Sequence, residues 1–230
     1  MKKLADYEHR EVQRIAKKLT DGLQTPREKL ERLFHYVRDD ITFGFPPEGD
    51  FVAASETIRR GYGQYNTKAT LLLALCKACG IPARIHFSLI KKDIQKGFFT
   101  GLAYWLMPNE ISHSWIEVEV EGKWRRTDTF INNIVLFNAA KDELKRRGWT
   151  SGLSLALSNG DVSPDLNLDE EAFQQMAAVT NDHGAWDDPA DFYASDRYRN
   201  RPDFLRLLAY RALIGSVNAR VKTLRNRGAD

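Results

Sequence analysis

Residues 61–75, GYGQYNTKATLLLAL, constrain the fold more than any other stretch of the chain. Glycines at 61 and 63 form a turn that runs directly into a helix, and the helix expected over 66–78 is the most apolar in the sequence. A helix with so little polar surface has to be enclosed by other elements. Gly80 and Pro82 end it. The remaining sequence is therefore read as what surrounds one central helix.

The preceding segments read as helices. Over 5–20, Val12, Ile15, Ala16 and Leu19 recur at helical spacing. In TPREKLERLFHYVRD, Thr25 caps, Pro26 takes the first helical position and Glu28 completes a capping box. Leu30, Leu33, Phe34 and Val37 then make one apolar stripe. The prolines of ITFGFPPEG break that helix, and SETIRRG predicts a short one capped by Ser55 and stopped by Gly61.

The segments after the central helix read as strands. ARIHFSLI alternates, and HSWIEVEVEGKWRRTDTF predicts a hairpin turning at Glu121–Gly122. NAAKDELKRRG predicts a helix, and 154–179 mixes loop and helix. The turn-rich stretch 180–202 is expected to be irregular, and 203–227 is expected to form a long amphipathic helix. Helices first, an antiparallel sheet after, and one helix between them make an α+β chain rather than a βαβ repeat. With no repeat and no linker, one domain is expected over 1–230.

Composition narrows the class. Hydrophobic residues make up 43% and charged residues 28%, which are globular values. No apolar run reaches the length that spans a bilayer, and MKKLADYEHREVQ has no apolar core behind its basic start, so neither a membrane segment nor a signal peptide is expected. Cys76 and Cys79 end the apolar helix without a second pair to complete a zinc site, so free thiols and a cytoplasmic location are expected. The net charge of +3 is uneven. Ten acidic residues and no Lys or Arg lie between Asp161 and Asp196, and seven Lys/Arg against two Asp follow from Arg201 to Asp230. The basic stretch reads as the solvated face of a terminal helix near the acidic segment. No nucleic-acid motif accompanies it, so no nucleic-acid partner is expected. Oligomeric state stays open.

Three elements carry candidate chemistry. They are the glycine turn leading to Tyr65, His113 at the head of a strand, and Asp128 fifteen residues on. A tight hairpin can bring positions 113 and 128 together, and a helix N-terminus facing them would add peptide N–H groups. That is the geometry of a nucleophile, a base and an orienting carboxylate. Around it, Gln64 and Asn66 are candidates to bind substrate or to cap the helix. Trp115 would wall a pocket or fill the core, and His86 would face the site or solvent. His183 and Asp187 would form a lid or an ordinary turn. A metal site from His183, Asp187 and Asp188 has no recognised spacing, so no metal and no cofactor are expected.

GYGQ-NTKATLLLALCKACGIPAR, H-W-EVEV-GKW and TDT, in this order and spacing over about 28–130, resemble the transglutaminase-like superfamily, relatives of transglutaminases and papain-type cysteine proteases. DHGAWDDPADFYAS is similar to a segment of a bacterial subgroup. The resemblance implies a papain/transglutaminase-like fold, a central helix packed on an antiparallel sheet, with helical N- and C-terminal extensions. It implies His113 as the catalytic histidine and Asp128 as the catalytic aspartate. The family's nucleophilic cysteine falls on Tyr65.

That departure changes the chemistry. Cys76, eleven residues along the helix, is about 16 Å away and cannot substitute. A phenol titrates near 10 and a thiol near 8.5, so the phenolate is about thirtyfold scarcer at neutral pH. The phenol oxygen also stands across a rigid ring, out of line with donors built for a sulfur nucleophile. A tyrosine is better suited to moving one proton. The leading expectation is therefore a Tyr65–His113–Asp128 acid/base site acting on a carbonyl-containing small molecule or peptide by isomerisation, elimination, hydration or retro-aldol cleavage. The alternatives are an inactive transglutaminase-like binding protein and a tyrosine-based acyl transfer or amide hydrolysis.

Overall fold

The computed structural model describes residues 2–157 and 162–229. Four helices come first: α1 (Arg10–Thr20), α2 (Pro26–His35), α3 (Ala54–Arg60) and α4 (Tyr65–Ala78). The capping box at Thr25 and Glu28 forms as the sequence implies, with the Glu28 carboxylate accepting from Thr25 N at 2.9 Å. A π-helical turn over Tyr36–Asp40 closes α2. Two expectations shift here. α1 begins at Arg10 behind a His9 cap. α3 starts behind Ala53 rather than a Ser55 cap, and the Asp6 carboxylate accepts from both the Ser55 backbone N–H at 3.0 Å and the Ser55 hydroxyl at 2.6 Å.

α4 is the hub. Every residue from Tyr65 to Cys76 is buried, as its lack of a polar face requires. A parallel pairing of β1 (Thr42–Phe43) with β2 (Tyr62–Gly63) leads into it. Gly63 is required at that approach, since a Cβ there would lie 2.5 Å from the Thr67 hydroxyl. α1, α2 and α3 pack against α4 on one side, and the sheet packs on the other.

The sheet is antiparallel, in the order β5-β4-β3-β8, from β3 (Ala83–Lys91), β4 (Glu110–Val120), β5 (Lys123–Thr127) and β8 (Val179–Trp186). Glu121 and Gly122 both take positive φ and make the tight hairpin turn between β4 and β5. A short helix, α5 (Gly101–Trp105), bridges β3 and β4. After the hairpin, α6 (Ile134–Arg147) starts four residues before the predicted segment, capped by Asn133.

Two further expectations are corrected in the second half. Among its described residues, the stretch 154–179 holds β7 (Leu155–Ala156), paired with β6 (Ser151–Gly152), and one 3-10 turn over Met176–Ala178. The stretch 180–202 is not irregular. It supplies most of β8 and then α7 (Pro189–Ala194). Between Thr180 and Trp186, the run NDHGA holds none of the β-branched or large aromatic residues that mark strands. It pairs only as an edge, through a ladder interrupted by register shifts.

The C-terminal helix α8 (Phe204–Arg227) forms over the expected residues but is not amphipathic along its length: it buries Ile214, Val217, Val221 and Leu224 toward its C-terminal end, whereas Phe204, Leu205, Leu208 and Leu213 before them are exposed. Its main partner is α6. Asp161, first of the acidic run, lies outside the described residues. No described helix is long and apolar enough to cross a membrane. Cys76 and Cys79 are free thiols.

Candidate active site

Tyr65 opens α4 and is 7% exposed. The Gln64 side chain accepts from Asn66 N at 3.2 Å and so caps the helix, a role the sequence offered to Asn66 as well. Asn66 points inward. Its side chain donates to Asp50 at 3.0 Å and accepts from the Ser114 hydroxyl at 2.8 Å, tying the start of α4 to β4. Residues alternate along β4, so His113, Trp115 and Glu117 share the face opposite Ser114.

His113 and Asp128 are both fully buried, with His113 Nε2 4.0 Å from Asp128 Oδ2. That is too long for a hydrogen bond. The Tyr65 and His113 rings lie 5.7 Å apart at 55°. Neither His113 nitrogen has a hydrogen-bond partner among the described residues. The structure thus gathers the three residues into one place but forms no chain of hydrogen bonds through them.

Each member is instead held from elsewhere. Asp128 follows β5, and its carboxylate accepts from the backbone N–H groups of Gln174 at 2.6 Å and Gln175 at 2.9 Å. The Gln174 amide bonds Asn132 and Thr129, fixing those donors. Lys68, one turn past Tyr65 and wholly buried, donates to Ile131 O at 2.8 Å and Arg38 O at 3.3 Å, holding the loop beyond Asp128. The Tyr65 ring reaches toward a second polar cluster. There the Asp50 carboxylate accepts from Gln64, Asn66 and Tyr198.

Burial dominates the electrostatics. It lowers His113 to about 3, which keeps the imidazole neutral. It raises Asp128 to about 7, against the pull of the Gln174 and Gln175 N–H groups. It drives the Tyr65 phenol far above its ordinary value, with the nearby Asp50 charge adding to the rise and Gln95 opposing it. Burial also drops Lys68 well below the usual lysine range. Asp128 is thus brought near neutral pH, but it stands 4.0 Å from a neutral His113 with no hydrogen bond to carry a proton between them.

The other candidates fall in three places. His86 is neither in the site nor in open solvent. It stacks on Trp115 at 4.2 Å, and Trp115 in turn lies 6.3 Å from His113. His86 Nδ1 meets Glu117 at 2.7 Å and Nε2 meets Asp182 at 2.5 Å. Trp115 is buried, and its indole N–H has no partner among the described residues. His183 sits in β8 with its ring 5.8 Å from that of Phe192. Asp187 is bound by Lys77 at 2.5 Å, at the far end of α4, about 18 Å from Tyr65. No described group of His, Cys, Asp and Glu is arranged to hold a metal.

Sequence reasoning passed over Asp50, Gln95, Gln174, Gln175 and Tyr198. Asp50 had a signal in its place, an acid after a Pro-Pro-Glu-Gly turn just upstream of α4. Gln174 and Gln175 reach Asp128 through backbone donors, which leave no mark on residue identity.

Two clefts lie elsewhere. One, of about 640 Å³, is lined by Lys77, Arg84, Trp124, Trp186 and Asp187 beyond the C-terminal end of α4. The other, of about 200 Å³, lies between α6 and α8.

The family model of the transglutaminase-like superfamily matches residues 13–129. Among solved structures, a candidate cysteine protease from Cytophaga hutchinsonii is similar at 15% identity and a TM-score of 0.48, covering 83% of this chain and 46% of that one. A candidate protease from Parabacteroides distasonis is similar at 20% identity and a TM-score of 0.38, covering 54% of this chain and 25% of that one. The chain thus spans less than half the length of either structure. No curated protein matches.

Proposed function

This chain belongs to the transglutaminase-like superfamily and keeps that enzyme-like frame, and from that premise we infer that it acts by binding, with Tyr65 sealing the place of the nucleophile. One observation carries the reading. The Tyr65 ring is packed against a fully buried His113 at 5.7 Å, and the two share no hydrogen bond. A relay needs the phenol oxygen on an imidazole nitrogen, and the nearest carboxylate to that imidazole stands at 4.0 Å. A neutral imidazole, a protonated phenol and a closed approach all fit a plug better than an acid.

A second reading rests on its own observation. Two buried, unpartnered nitrogens cost about 1–3 kcal/mol each, and unsatisfied groups of this kind occur at catalytic positions. Motion of the Tyr65 ring would give His113 a substrate to bond, and His113 with Asp128 would then perform acid/base chemistry on a carbonyl compound or peptide.

The experiment is a turnover screen. Peptides and carbonyl compounds are incubated with the protein and with Tyr65→Phe and His113→Ala, and products are read by mass spectrometry. Binding without turnover is expected for all three. A product formed by the wild type and abolished in His113→Ala would overturn the sealed-site reading and establish the acid/base one. Tyr65→Cys probes the frame itself: its thiol is expected to react with iodoacetamide faster than buried Cys76.

A further inference from the structure

The α6–α8 cleft is lined by three arginines from two helices, Arg147 of α6 and Arg220 and Arg227 of α8. Its one acid is Glu143, which already accepts from Arg146 at 2.7 Å and from Arg147 at 2.6 Å. Arg220 donates through Nη1 to Phe98 O at 2.9 Å, which fixes the side chain and leaves the rest of its fork uncommitted. Arg227 has no ion pair among the described residues. Beside the cleft, Lys96 lies over the Trp149 ring at 3.9 Å, the ring that Arg147 covers at 4.7 Å, and adds one more charge of the same sign.

Bases in the last turn of a helix are stabilised by its dipole, which accounts for Arg147 and Arg227 singly. It does not account for Arg220, nearly two turns before the end of α8, or for the convergence of all three on one concavity. Counting the lining, three guanidiniums against one shared carboxylate leave +2 facing a space of about 200 Å³. That charge exceeds what a single carboxylate would balance. Guanidinium forks match the tetrahedral oxygens of phosphate in bidentate fashion. The compactness of the cleft fits one or two phosphate groups rather than the extended backbone of a nucleic-acid strand.

We propose that the cleft between α6 and α8 binds a phosphate or diphosphate group, free or carried by a small molecule. The site lies apart from Tyr65 and does not depend on whether the superfamily site turns over.

The probe is inorganic pyrophosphate, followed by titration calorimetry and thermal unfolding in low salt. The wild type is expected to bind one equivalent and to melt at a higher temperature in its presence. Arg220→Gln/Arg227→Gln is expected to weaken binding at least tenfold, with helicity by circular dichroism unchanged. Arg206→Gln/Arg211→Gln, on the other half of α8, is expected to bind as the wild type does. Arg227→Glu alone alters a residue with no ion pair among the described ones and serves if the double variant fails to fold. ADP against pyrophosphate separates a nucleotide from the bare anion, and both outcomes support the site. The proposal is overturned if about 1 mM pyrophosphate neither binds nor shifts melting. Equal affinity in the Arg220/Arg227 variants overturns it too. So does binding that grows with oligonucleotide length and weakens equally in the Arg206/Arg211 variant, which would mark a nucleic-acid face.

Discussion

Two histidines two strand rungs apart have opposite fates. His113 faces Ser88 across the β3–β4 ladder, and His86 faces Trp115. His113 carries the superfamily motif, yet both of its nitrogens are unpartnered and burial holds it neutral. His86 carries no motif, yet it lies between two carboxylates. Burial lowers its pKa, but the bonds to Glu117 and Asp182 outweigh that and raise it. Glu117 responds in kind: burial would raise it, and His86 with Arg84 bring it down to about 2. An imidazole's chemistry is set by what stands within bonding distance, not by the motif it sits in. In this molecule the motif histidine bonds nothing among the described residues, and the other, with its raised pKa, holds β8 to the sheet.

The largest expected effect separates the two rings directly. His86→Ala strands the buried Glu117 with Arg84 alone and removes the stack on Trp115. Breaking a buried charged pair costs about 3–5 kcal/mol. With Asp182 65% exposed and Arg84 remaining, a loss of about 2–3 kcal/mol in urea unfolding is expected. A loss below that of a surface substitution would dissolve the contrast.

The same pair has a pH signature. The folded state binds the His86 proton more tightly than the unfolded chain, so its contribution is complete below the ordinary value of 6.5 and fades as pH rises through the raised folded value. The stability difference between wild type and His86→Gln is therefore expected to shrink on the alkaline side. A difference that grows with pH would show His86 held neutral.

Smaller effects sharpen the other half of the comparison. Tyr65→Phe removes one buried hydroxyl and should cost about 1 kcal/mol. His113→Leu removes a ring that bonds nothing, and its cost should lie within about 0.5–1 kcal/mol of zero, the two orphaned nitrogens offsetting the change of shape. A loss equal to that of His86→Ala would place His113 in a bonded network.

The frame was legible because it is written in side chains. The Thr25 capping box, the apolar run Leu71–Cys76 of α4 and the Glu121–Gly122 turn each state their structure locally. The edge strand β8 was not, because its Asn, Asp and Gly fit the sheet through backbone pairing with β3. The site was half legible. The positions of Tyr65, His113 and Asp128 follow from the motif, so their meeting could be expected. Which way Tyr65 leans depends on Asp50, Gln95 and Tyr198, contacts between segments far apart in sequence. The clamp on Asp128 comes from peptide N–H groups that any residue would offer.

The central claim, that Tyr65 seals an unpoised His113, is tested most directly by nitrogen-15 NMR of the imidazoles across a pH titration. With burial holding His113 at about 3, its ring signals are expected to stay those of a neutral imidazole from about pH 5 to about pH 8, unchanged in Tyr65→Phe. A His113 midpoint near the ordinary 6.5, moving when the Tyr65 hydroxyl is removed, would contradict the account and restore the proton relay.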